Sequence, residues 1–307
     1  MGVGEGPLHD QQTLAEKVTC SGKGLHSGAE VALTLRPGRA NTGVVFVRTD
    51  LDGAEVPAIP SSVRSIYRAT TLGRGDASVA TVEHLLAALY ALEVDNVRVE
   101  LDGPEVPVLD GSAAPFVQLI RRAGLFAQDE PRPRLRILER VEVVDGERRI
   151  SVEPCDDFRV HYAIDFVHPA IRRQTIEVAS VDADSFEREF ARARTFGFLD
   201  EVAALREAGL GLGGDLDNTV VLDADRVINP TGLRFPDEFV RHKALDLIGD
   251  LALLGVGLEG LVRVERGGHA LHQRLVSAIL TQPQASEWLG ATPEALHFAP
   301  RVAAGAR

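Results

Sequence analysis

The chain has 307 residues, with 33 Lys+Arg against 45 Asp+Glu and a formal net charge of −12. Apolar residues make up 45% and charged residues 25%, which excludes a disordered or fibrous chain, and the length is enough for two domains with cores of their own. The acidic balance argues against nonspecific binding to nucleic acid or anionic lipid, while leaving room for a local basic pocket.

Residues 1–10 carry Glu5 and Asp10 and lack the basic-then-apolar order of a secretory signal. Cys20 and Cys155 are too few for a disulfide framework or a thiolate zinc site. Residues 30–35 alternate like a strand, meet Pro37, cross a Gly/Asn turn and resume over 43–49, a pattern that predicts an antiparallel hairpin. Residues 50–71, rich in Pro and Ser, read as an insertion adding a small β element. A helix over 81–92 runs into a strand over 96–101, and a second helix follows over 113–123. Polar residues 128–133, with two prolines, read as a linker.

The same order then returns. Residues 149–153 and 158–166 predict another hairpin, a helix over 237–254 leads into a strand over 261–265, and a helix over 269–280 closes the half. An insertion over 197–217 holds a helix stopped by a glycine run; its leucines suit a hydrophobic ligand or a packed surface loop. The most apolar window, 245–262, is broken by Asp246, Asp250 and Glu259 and is not a membrane span. The duplicated order predicts an α+β fold of two domains of related topology, each a β-sheet with helices on one face. They span 1–127 and 134–296, with a flexible tail over 297–307, in a protein expected to be cytoplasmic, its oligomeric state open with a monomer favoured.

The helix over 237–254 carries the clearest chemistry. His242, Asp246 and Asp250 fall at i, i+4 and i+8, on one face of an otherwise apolar helix. Such a stripe must be paired, hydrated or bound to metal, since burying unpaired charge is costly. An i, i+4 His/Asp pair suits two ligands of one zinc, and it equally suits a solvated face of local ion pairs. In Thr81-Val-Glu-His-Leu-Leu, Thr81 reads as an N-cap that puts Glu83 and His84 in the first turn among apolar neighbours. Glu83 could simply favour the helix dipole. Taken with His242 and Asp246, the pair completes His, His, Asp and a spare carboxylate, the composition of an open hydrolytic zinc site. His269 follows a glycine turn where Asp250 could hold it protonated; by itself it reads as an ordinary surface histidine.

Seven motifs occur in order: Gly24-Leu-His-Ser-Gly28, Ser78-Val-Ala-Thr-Val-Glu-His-Leu-Leu-Ala-Ala-Leu89, Val108-Leu-Asp-Gly-Ser-Ala-Ala-Pro-Phe116, Asp165-Phe-Val-His-Pro169, Ala191-Arg-Ala-Arg-Thr-Phe-Gly-Phe198, the segment 237–250, and Gly268-His-Ala-Leu271. On these the chain resembles the UDP-3-O-acyl-N-acetylglucosamine deacetylase (LpxC) family across residues 12–289. The resemblance implies two α+β domains with the active site between them, and a zinc ion, with iron(II) as the alternative, held by His84, His242 and Asp246. It further implies Glu83 as general base, His269 as acid or electrostatic partner supported by Asp250, and Thr195 as the hydroxyl that polarises the amide carbonyl. Phe196 and Lys243 match contacts on the sugar and diphosphate side, and Asp165, Phe166 and Arg266 align with the nucleotide end. The implied substrate is an acylated UDP-sugar of lipid A biosynthesis, its acyl chain lodged by the 197–217 insertion. A noncatalytic UDP-sugar or acyl-ligand binding module is the alternative in a different class.

Overall fold

The computed structural model describes residues 9–290; the expected tail over 297–307 lies outside the described residues. The first half runs β1 (Asp10–Leu14), β2 (Val18–Lys23), β3 (Glu30–Pro37), β4 (Val44–Arg48), β5 (Ala54–Pro57), β6 (Val63–Ser65), β7 (Thr71–Arg74), β8 (Ala77–Val79), α1 (Glu83–Ala91), β9 (Val97–Leu101), α2 (Ala114–Ala123) and β10 (Leu125–Pro131). The second half runs β11 (Arg134–Ile137), β12 (Val141–Asp145), β13 (Arg148–Glu153), β14 (Phe158–Phe166), β15 (Arg172–Val178), α3 (Ala183–Glu189), β16 (Phe196–Phe198), α4 (Val202–Glu207), β17 (Val220–Leu222), α5 (Glu238–Leu251), β18 (Gly257–Glu265), α6 (His269–Thr281) and β19 (Ser286–Leu289).

Each half builds its sheet by the same rule. In the first, the strands lie in the order β2-β3-β9-β4-β5, with β9 antiparallel to β3 and parallel to β4. In the second, β18 takes the place of β9, antiparallel to β13 and parallel to β14, between the outer strands β12 and β15. The strands β11 and β19 extend that sheet beyond β18. The α+β fold with an internal repeat is therefore as the sequence predicts.

The two predicted hairpins are not. β3 and β4 never pair, and neither do β13 and β14, because a strand arriving after a helix slots between them. Alternation shows which face of a strand is buried, as with Val31, Leu33 and Leu35 of β3, but it carries no information about the neighbouring strand. In these two sheets the hairpins are β2-β3, β4-β5, β12-β13 and β14-β15. The linker also needs correction. The polar stretch from Gln128 continues β10 as far as Pro131, hydrogen-bonded to β1, and Arg132 is buried against Glu93 and Asp95. A polar, proline-bearing segment can still supply an edge strand when its backbone groups find a partner.

The helices explain where the site lies. Eight of nine residues of α1 are buried, and twelve of fourteen in α5, which suits helices enclosed on all sides. α2 packs on β2 and α1, α6 packs on β12 and β13, and the two helix layers meet where α1 lies against α5. Leu85, Leu86 and Leu89 of α1 are buried in the core, each contributing roughly 1.5–3 kcal/mol. The first insertion forms a three-stranded sheet β6-β7-β8, beginning after β5, which belongs to the main sheet. The second pairs β16 with β17 in parallel around α4. Among the described residues no helix is long and apolar enough to cross a membrane.

Candidate active site

The contact of α1 with α5 brings together residues more than 150 positions apart in sequence. It is close because Gly249 has no side chain: a Cβ there would lie 2.0 Å from the Glu83 carbonyl oxygen. One turn earlier on α5, Asp246 faces the start of α1. Its Oδ1 lies 3.3 Å from His242 Nε2 and 3.6 Å from His84 Nε2, and the two imidazoles meet edge to face with centroids 4.9 Å apart. That oxygen is buried without a hydrogen-bond partner among the described residues. A buried carboxylate oxygen left unpaired between two imidazole nitrogens is costly unless something cationic sits among them, so the donor set fits a divalent ion.

The protonation states agree with that fit. Burial pushes the His242 imidazole down to about 4, so it is neutral near pH 7. Its Nδ1 donates to the Ala193 carbonyl at 3.1 Å, which leaves the Nε2 lone pair aimed at the centre. Burial alone would raise the Asp246 carboxyl, but the adjacent His242 and Lys243 hold it well below the usual carboxylate range. Lys243 donates to the second oxygen, Oδ2, at 2.9 Å. Neutral imidazole and ionised carboxylate are the forms that ligate metal.

Glu83 is 3% exposed, and burial raises its carboxyl above the ordinary value, nearer to that of a working general base. Its Oε2 accepts from the Thr70 backbone N–H at 3.1 Å, and its Oε1 stands 3.7 Å from His269 Nε2. Thr81 does not cap α1, as expected from sequence. The helix begins from Val82, while the Thr81 hydroxyl donates to the buried Glu105 at 2.6 Å, a long-range partner that competes for the cap. Glu83 and His84 nonetheless occupy the first turn. His269, at the start of α6, donates from Nδ1 to Asp250 Oδ2 at 2.7 Å. Burial disfavours its cation, but Asp250, with Glu83 and Asp246 nearby, more than offsets this and raises the imidazole to about 9. It is not the ordinary surface histidine of the local sequence.

These groups open into a cleft of about 230 Å³ whose walls include Thr195, Phe196, Phe166 and Lys243. The Thr195 backbone is pinned at 2.9 Å to the Gly111 carbonyl of the first half. Just before it, Arg194 makes a buried ion pair at 2.9 Å with Glu238 at the start of α5, so the segment bearing Thr195 is tied to the helix that carries His242 and Asp246. Phe166 and Phe196 pack edge to face, and Lys243 Nζ lies 5.6 Å from the centre of the Phe196 ring. Asp165, next to Phe166 of the cleft wall, and Arg266 bond to each other at 2.6 Å at the surface.

A second, largely apolar cavity of about 380 Å³ continues from the cleft between the two insertions, lined by Val202, Leu205, Leu216, Val221 and Ile228. His26 and Arg68 line both spaces, and neither was singled out by sequence. Both ring nitrogens of His26 are buried without a partner, while Glu105 anchors its backbone N–H at 2.9 Å and that of Ser27 at 2.8 Å. The only sequence signal was the glycine-flanked turn around His26. Arg68 reaches Glu201 of the other insertion at 2.8 Å.

The model of the family described as UDP-3-O-acyl N-acetylglycosamine deacetylase matches residues 11–281. The chain is 49% identical over 280 residues to the UDP-3-O-acyl-N-acetylglucosamine deacetylase of Myxococcus xanthus, covering 91% of this chain and 89% of that one. It is 47% identical over 288 residues to the enzyme of that name from Geobacter sp. strain M21, covering 94% of each, and 49% identical over 282 residues to that of Acidithiobacillus ferrooxidans, covering 91% and 92%. The buried His/His/Asp centre with its adjacent glutamate thus occurs in a chain matched along nearly its whole length, and the chain belongs to the UDP-3-O-acyl-N-acetylglucosamine deacetylase family.

Proposed function

We propose that this deacetylase hydrolyses the N-acetyl group of UDP-3-O-(3-hydroxyacyl)-N-acetylglucosamine, an early step of lipid A biosynthesis, using a zinc ion held by His84, His242 and Asp246. The observation that carries the metal assignment is the unpaired, buried Asp246 oxygen facing two imidazole nitrogens. When bound, the ion supplies Lewis-acid polarisation and acidifies water to a pKa of about 7.

The chain's own residues do the rest. Glu83, buried and raised in pKa, takes the proton from the attacking water. The Thr195 hydroxyl and the His269 imidazolium, on the walls of the same cleft, offset the negative charge that grows on the carbonyl oxygen. A proton then passes to the departing amine from Glu83 or His269. The apolar cavity between the insertions takes the acyl chain, and Phe196 and Lys243 meet the sugar and its diphosphate. Mere binding of an acylated UDP-sugar would need no buried base beside three ligands.

Acetate release from the UDP-3-O-acyl-GlcNAc substrate, measured with and without chelator, tests the reading. Chelation is expected to abolish turnover and zinc to restore it, with iron(II) as a parallel arm. Full turnover by metal-free protein would overturn the metal assignment.

The pH dependence has a definite sign. His269 is cationic below about 9, so activity that uses the cation holds below that value and falls as the pH rises through it. His269→Ala should remove or move this basic limb; an unchanged profile would take His269 out of the proton chemistry.

A further inference from the structure

We propose that His272, braced by Tyr162, is a positioning residue that fixes Asp250 so that His269 presents its Nε2 to the reacting amide; this rests on the role given to His269 above. His272 stands three residues after His269 on α6, so the two rings lie on one side of the helix, centroids 6.1 Å apart. Both send Nδ1 to the same oxygen, Asp250 Oδ2, at 2.7 Å for His269 and 2.8 Å for His272. The other oxygen, Oδ1, accepts from the Thr70 hydroxyl at 2.6 Å. Asp250 and His272 are both 0% exposed, so neither group is open to bulk solvent.

The hydrogen positions follow from the partners. A carboxylate only accepts, so both Nδ1 atoms carry protons. Burial keeps the His272 ring neutral, and its Nε2 is then an acceptor for the fully buried Tyr162 hydroxyl at 3.1 Å. Tyr162 comes from β14, and Gly267, just before α6, makes room for it: a Cβ there would lie 2.6 Å from the hydroxyl. A directional chain results, from Tyr162 to His272 to Asp250, with His269 on the far side. The other ionisable groups facing His269 are Glu83 from α1 and Asp246 from α5.

Three donors on Asp250 do two things. They stop the carboxylate turning about its last torsion, which fixes the His269 ring. They also spread its charge, so that it holds the His269 proton without removing it. Without His272, one donor is lost from a fully buried carboxylate, and the Tyr162 hydroxyl loses its acceptor.

The test is steady-state deacetylation by the zinc-loaded enzyme, with metal content and thermal midpoint recorded for each variant. His272→Ala is expected to lower kcat about tenfold, the low end of what orienting partners contribute, with KM and bound zinc unchanged. His272→Asn, whose amide can donate from the place of Nδ1, should restore kcat to within about threefold, and Tyr162→Phe should lower kcat less than His272→Ala does. In a His269→Ala background His272→Ala should cost nothing further, since a residue that acts only through His269 is not additive with it. Wild-type kcat in His272→Ala, or an additive loss in the double variant, would overturn the proposal. If His272→Ala does not fold, a loss of kcat well beyond threefold in His272→Asn, or no loss in Tyr162→Phe, would overturn it. An unaffected His269→Ala single variant would instead refute the role of His269.

Discussion

Glu83→Gln is expected to lower kcat for deacetylation by at least ~100-fold while leaving the metal bound, because a positioned general base contributes about that much or more. The amide keeps the shape of the carboxyl group and can still accept from the Thr70 N–H, so the fold at the start of α1 has no reason to change. It cannot take a proton from water. Glu83 Oε1 lies 3.7 Å from His269 Nε2, so the variant also removes a negative neighbour of that imidazole. The measurement is kcat together with zinc content by elemental analysis. Loss of metal along with activity would make Glu83 a ligand, and retention of both would remove it from the mechanism.

Gly249→Ala should have an effect of similar size by a different route. The new methyl would sit 2.0 Å from the Glu83 carbonyl oxygen and 3.0 Å from its Cα, and backbone cannot rotate away as a side chain can. Relief requires α5 and α1 to separate, and these are the helices that carry Asp246 and His242 on one side and His84 and Glu83 on the other. Overpacking of this kind typically costs about 1–3 kcal/mol of stability. The sharper expectation concerns the site: zinc affinity and kcat fall together, since ligands on separated helices no longer converge. A Gly249→Ala protein with wild-type zinc affinity and turnover would show that the helix contact does not set the site.

The ligand helix was legible because its chemistry is local. His242, Asp246 and Asp250 announce themselves as a polar stripe on an apolar helix, and Glu83 and His84 as charged groups among leucines and alanines. Likewise the repeated order of strands and helices, and the insertion with its glycine-stopped helix, follow from periodicity and turn residues that act over a few positions. The ordered motifs then indicated the family.

Strand neighbours were another matter. Placing β9 between β3 and β4, and β18 between β13 and β14, depends on where a helix returns the chain, and no alternation pattern encodes it. For the same reason Thr81 was read as a cap: a short-range rule cannot foresee that Glu105 will claim its hydroxyl. His26, within a glycine-flanked motif, and His272 carry no chemical role legible in the sequence, because their significance lies in their surroundings. The first has two buried ring nitrogens without a partner, and the second shares a carboxylate with His269.

The amino-acid sequence by itself determined the residue types of the centre, the faces on which they stand and the duplicated plan of the chain, since these rest on helix and strand periodicity. Only the tertiary structure decided that α1 and α5 touch at Gly249, that the Asp246 oxygen faces two imidazoles with no hydrogen-bond partner among the described residues, and that Asp165 pairs with Arg266 at the surface. Those outcomes come from packing between segments far apart in the chain, where steric fit and burial, rather than local propensity, set which groups meet.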